Sequence, residues 1–93
     1  PGTFVDFGFA RTDGAFRVQQ VEGGLRLTPL PDSPPFELTL RLGQLVGRTP
    51  TVKSVVVLGF DVSAVPKPVK FGLKGDALDF AHDGKAFAYE VRW

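Results

Sequence analysis

The chain has no cysteine and no methionine, and it carries only one histidine, one tyrosine and one tryptophan. Without cysteine there can be no disulfide framework, no thiolate zinc site and no thiol nucleophile. That absence assigns no compartment, because disulfide-free domains occur inside and outside cells. A hydrolytic triad would have to be built on His82, yet Ser33, Ser54 and Ser63 stand in no nucleophile-elbow context. No apolar run reaches about 20 residues and no secretory core is visible, so no membrane partner is expected. Charge of either sign is also scarce in excess: 11 basic residues face 10 acidic ones. Such a balance excludes a strong non-specific grip on phosphate, which scales with the phosphates neutralised, so no nucleic acid is expected. No glycine-rich loop leads into a Lys-Ser or Lys-Thr pair, and no cofactor is expected. Methionine is missing even from position 1, which fits a cut from a longer polypeptide.

What the chain does have is alternation. Phe36, Leu38, Leu40 and Leu42 fall on one side of a pleated strand, with Glu37, Thr39 and Arg41 on the other. Residues 87–93 repeat this, with Phe87, Tyr89, Val91 and Trp93 opposing Ala88, Glu90 and Arg92. A first strand is expected over Thr3 to Phe9 with Val5, Phe7 and Phe9 sharing a face and Phe4 turned outward towards a partner. Further strands are expected over Ala15 to Val21, Leu25 to Thr28, Thr51 to Phe60 and Val69 to Leu73, and Leu78 and Phe80 should point the same way. Thr12-Asp13-Gly14, Gly23-Gly24, Gly75-Asp76 and His82-Asp83-Gly84 supply turn chemistry between them. Pro29, Pro31, Pro34 and Pro35 rule out a central strand and read as a stiff crossover between sheets. Only Gly43 to Val52 has room for a helical turn. Hydrophobic residues make up 43% of the chain, nine of them phenylalanine, which is enough for a core and argues against disorder. The pattern predicts an all-β fold: a single antiparallel β-sandwich of seven to nine short strands, occupying 1–93 as one domain.

Few residues point to chemistry. His82 beside Asp83 reads as a hairpin turn, since neighbours on a turn do not orient each other as a catalytic pair. Asp76, Asp79, Asp83 and Glu90 read as turn and solvent-facing acids, with no calcium-loop spacing and no metal site expected. Lys67, Lys70 and Lys74 read as lysines guarding a sheet edge. Tyr89 and Trp93 are the candidate ligand-binding residues, because sugar-binding modules stack pyranose rings on aromatic faces. Their shared face with Phe87 and Val91 favours burial instead.

Residues 52–93 carry Val52, Val55 and Val57 leading into Leu58-Gly59, then Pro66, Val69, Gly72 and the Asp83-Gly84-Lys85 turn before a closing strand. This resembles the terminal β-sandwich of α-glucosidase-type glycoside hydrolases (family 31). In that family the catalytic acids sit on a separate barrel, so the resemblance implies an accessory domain and transfers no catalytic residue. The expected function is a non-catalytic accessory or C-terminal module of a larger, carbohydrate-active protein, acting by packing on a neighbouring domain of the parent chain. The alternatives are a carbohydrate-binding module using Tyr89 and Trp93, and a small enzyme.

Overall fold

Phe36–Arg41 forms the strand its alternation predicts: Phe36, Leu38 and Leu40 are buried and Glu37 is exposed. The computed structural model describes residues 4–60 and 65–93 of the chain; Thr3 and Ser63 lie outside the described residues. Among these are ten strands and one short helix. The elements are β1 (Val5–Asp6), β2 (Ala10–Thr12), β3 (Phe16–Val21), β4 (Gly24–Pro29), β5 (Phe36–Arg41), α1 (Leu42–Val46), β6 (Ser54–Leu58), β7 (Lys67–Pro68), β8 (Gly72–Lys74), β9 (Ala77–His82) and β10 (Ala88–Arg92). They make two five-stranded antiparallel sheets in the orders β1-β2-β5-β9-β8 and β3-β4-β10-β6-β7. The all-β sandwich is therefore present. The strand number exceeds seven to nine because two-residue pieces, β1 and β7, pair at the sheet edges.

The core lies between the sheets. Leu38, Leu40, Leu78 and Phe80 from the first face Leu25, Leu27, Val55, Tyr89 and Val91 from the second. Fully burying a leucine or valine contributes about 1.5–3 kcal/mol each, which is the main stabilising term for a chain of this size. A row of aromatic rings spans the gap. Phe16 stacks on Phe36 at 5.8 Å, Phe36 meets His82 at 5.0 Å, His82 meets Tyr89 edge-on at 5.6 Å, and Tyr89 meets Phe80 at 5.3 Å.

The proline-rich stretch does connect the sheets: β4 belongs to the second and β5 to the first. Two other turns differ from expectation. Asp13-Gly14 joins β2 in the first sheet to β3 in the second, and Asp83-Gly84 joins β9 to β10 in the same sense. Both are corners, not hairpins. At the first corner Thr12 Oγ1 donates to the Glu37 carbonyl and Asp13 Oδ1 accepts from the Glu37 N–H, so side chains direct the chain away from its own sheet.

The first apolar run also differs. Gly8, at φ 88°, ends β1 and folds the chain back into β2, with the Phe7 N–H donating to the Ala10 carbonyl. Val5, Phe7 and Phe9 are consequently exposed, while Phe4 is half-buried with the Arg11 guanidinium 4.5 Å above its ring. The Val69–Leu73 run is divided too: β7, just before it, closes the second sheet, β8 lies at the edge of the first, and Val69 and Phe71 pack against the core. Lys67 and Lys74 thus sit on two different edges, each suited to discourage edge pairing.

Gly24 marks a close approach between two strands. It lies opposite Arg92, and a Cβ built on it would stand 2.0 Å from the Val91 carbonyl oxygen, a backbone atom that cannot step aside. Gly24→Ala is expected to push β4 from β10 and to cost about 1–3 kcal/mol, measured by urea unfolding. A neutral result would show that the two strands part more easily than their register implies.

Candidate functional site

Three places gather the side chains the sequence singles out. The first is centred on His82. It is not a turn residue: it closes β9, continues the inward parity of Leu78 and Phe80, and is 3% exposed. Its Nδ1 lies 2.9 Å from the Tyr89 hydroxyl, and that oxygen accepts the Asp83 N–H at 3.1 Å. That oxygen can donate its own proton to Nδ1 of a neutral imidazole while accepting from Asp83, and the Ser33 main chain lies close to the ring. Burial lowers the His82 pKa below 6.5, outweighing Asp83, whose Oδ1 lies 4.0 Å away. Burial likewise raises the Tyr89 pKa. Asp83 Oδ1 accepts the N–H groups of Lys85 and Ala86, which hold its carboxyl below the ordinary value. The group is a structural clasp over the corner from β9 to β10. The His82 ring is buried, with Nδ1 held by the Tyr89 hydroxyl.

The clasp predicts a pH response. The folded pKa of His82 lies below its unfolded value of 6.5, so the unfolded chain takes up the proton first as pH falls. The stabilisation is complete above 6.5 and is lost as pH falls from there through the folded value. Asp83 and Glu90 are also depressed, but from 3.8 and 4.5, so their losses come at lower pH. Urea midpoints should therefore drop between about pH 7.5 and pH 5.5, and His82→Gln should flatten that slope. A midpoint constant over this interval in the parent chain would show that the ring is not held neutral.

The second place is the closing strand. Tyr89 and Val91 face the core, but Phe87 is exposed and Ala88, on the opposite side, is buried. Tyr89 at 2% exposure offers no ring face to a sugar, so a platform of Tyr89 with Trp93 is not formed. The neighbouring rings of Phe80 and His82 already cover it. Trp93 is half-buried, its backbone N–H donates to the Gly23 carbonyl, and the Arg48 guanidinium lies 6.0 Å from its ring centre. On the outer face of β10, Glu90 bridges Arg26 at 2.8 Å and Arg92 at 3.0 Å, and both arginines hold its carboxyl below the usual range.

The third place is the β1–β2 hairpin. Asp6 takes a two-pronged bond from Arg41 of β5, Nη1 to Oδ1 at 2.7 Å and Nη2 to Oδ2 at 2.9 Å. Arg41 also reaches the Gly8 carbonyl, and the Gly8 N–H donates to Asp6 Oδ1. The Arg41 bond, with help from Gly8, lowers the Asp6 pKa to about 2. The pair ties a hairpin bearing Val5, Phe7 and Phe9 to the body of the first sheet, with those three side chains in water.

No protein-family model, curated protein or solved structure matches this chain. The function must therefore be argued from the residues themselves. Among the described residues no three His, Asp or Glu side chains gather as a metal-holding group. The inward place of the histidine is legible from the parity of Leu78 and Phe80. The exposure of Val5, Phe7 and Phe9 has a weaker signal, the Gly8 that interrupts their run.

Proposed function

We propose that this chain is a non-catalytic β-sandwich module that acts by packing against a neighbouring domain of a larger protein. The observation that carries the reading is the anchored hairpin, where Val5, Phe7 and Phe9 are 48%, 58% and 39% exposed. Scattered apolar side chains on a surface need no explanation, but three within five residues, held in place by a two-pronged ion pair, form a prepared contact surface. A partner domain laid on the hairpin would remove that area from water at about 25 cal/mol per Å². The burial of His82, with Nδ1 on the Tyr89 hydroxyl, supports the non-catalytic part. A carbohydrate-active parent rests on the resemblance of residues 52–93 to the terminal sandwich of α-glucosidase-type glycoside hydrolases. The test compares amide hydrogen exchange in the 93-residue chain with that in the full polypeptide of its reading frame. Residues 4–12 should gain protection in the longer protein and lose it again on Phe7→Ser. Equal exchange in both, or a reading frame with no further domain, would sink the reading.

A further inference from the structure

At the other end of β5 from the hairpin, a cleft of ≈ 570 Å³ opens beside the proline crossover. Leu30 and Pro31 of the crossover contribute to its walls, together with Phe60 and Phe87. The two phenylalanine rings stand 5.1 Å apart at 54°, and Leu30, Phe60 and Phe87 are all exposed. Large apolar side chains are thus left out of the core and collected around one hollow. Its volume lies in the range of small-molecule sites, which are mostly apolar with a few polar groups that set orientation. Among the described residues the charged side chains of the lining are Arg17, Lys85 and Asp32, two cations against one carboxylate. Among the described residues neither cation is in an ion pair, whereas Arg26, Arg41 and Arg92 all are. His82, which also borders the cleft, is 3% exposed and has Nδ1 on the Tyr89 hydroxyl.

We propose that this cleft binds a small organic anion with a planar apolar body, the body lying against Phe60 and Phe87 and the carboxylate or sulfonate meeting Arg17 and Lys85. The charge balance selects the occupant. An apolar lining alone would take any hydrophobe, but two cations beside it favour one bearing a negative group, with the guanidinium able to donate two parallel bonds. This site is separate from the hairpin surface, so either can fail without the other.

The test uses two fluorescent probes of similar shape: 8-anilinonaphthalene-1-sulfonate, an anion, and N-phenyl-1-naphthylamine, which is uncharged. The anion should bind the unaltered chain at a single saturable site and more tightly than the neutral probe. Arg17→Glu combined with Lys85→Glu should weaken the anion by roughly tenfold or more and leave the neutral probe within about twofold. Phe87→Ser should weaken both, and Phe7→Ser neither. All four residues are exposed, and circular dichroism checks that each variant keeps its fold. The proposal is overturned if no saturable binding appears, or if both probes bind equally and ignore the charge reversals. Loss of binding on Phe7→Ser but not on Phe87→Ser overturns it as well, by placing the probe on the hairpin.

Discussion

Leu40→Ala is expected to destabilise the chain by about 2–5 kcal/mol, the range for truncating a fully buried leucine. Leu40 is wholly inaccessible and sits in β5, the middle strand of the first sheet, between Ala10 of β2 and Leu78 of β9. With strands on both sides and the second sheet above, little can move in to fill the space. Thr39→Ala on the outer face is the matched control. It removes the short hydrogen bond to Asp79 opposite and should cost no more than about 1 kcal/mol. Urea titration of both variants decides the matter, and equal losses would mean that the outer face of the first sheet is covered too.

The second large effect is expected at Tyr89. Tyr89→Ala should cost about 3–5 kcal/mol, since the ring fills the gap between the sheets beside Phe80 and His82. Tyr89→Phe keeps the ring and removes only the hydroxyl. That single atom serves both His82 Nδ1 and the Asp83 N–H, so its loss leaves two polar groups short of partners. An expected cost of about 1–3 kcal/mol follows for the phenylalanine variant. The difference between the two variants separates packing from hydrogen bonding at the same site. If Tyr89→Phe is as stable as the parent, the hydroxyl is not the centre of the clasp, and the pH response assigned to His82 would need another origin.

Much of this architecture is legible in the order of the residues. The parity of Phe36, Leu38 and Leu40 against Glu37 identifies which face of β5 is buried. Pro31, Pro34 and Pro35 identify the crossover because proline can neither donate to a strand ladder nor leave its fixed φ, whereas Pro29 closes β4 opposite Phe16. Gly75-Asp76 is a two-residue hairpin loop, with Lys74 opposite Ala77 and Gly75 at φ 63°, as its composition implies. The Asp13-Gly14 and Asp83-Gly84 signals are equally clear as turns and misleading as hairpins. Turn residues determine that the chain bends within a few residues. They carry no information on whether the next strand pairs beside the last one or crosses to the opposite sheet.

The candidate sites divide along the same line. Period-two alternation by itself determined which side chains share a face, and by that rule His82 follows Leu78 and Phe80 inward. It could not determine how well a face is covered, because coverage depends on what stands opposite. Val5, Phe7 and Phe9 keep an apolar pattern, yet Gly8 turns them into a hairpin at a sheet edge and they remain in water. Phe87, Tyr89, Val91 and Trp93 share a parity, but only Tyr89 and Val91 lie deep enough between the sheets to be fully buried. Phe87, just before β10, lies beyond the covered part of the sandwich and borders the cleft with Phe60. The sequence alone therefore determined the core strands, their inward sides and the crossover, but neither the break at Gly8 nor the division of the Val69–Leu73 run. Only the tertiary structure decided which apolar residues stay exposed, because burial is set by the layer that packs above a residue and not by its place in the alternation.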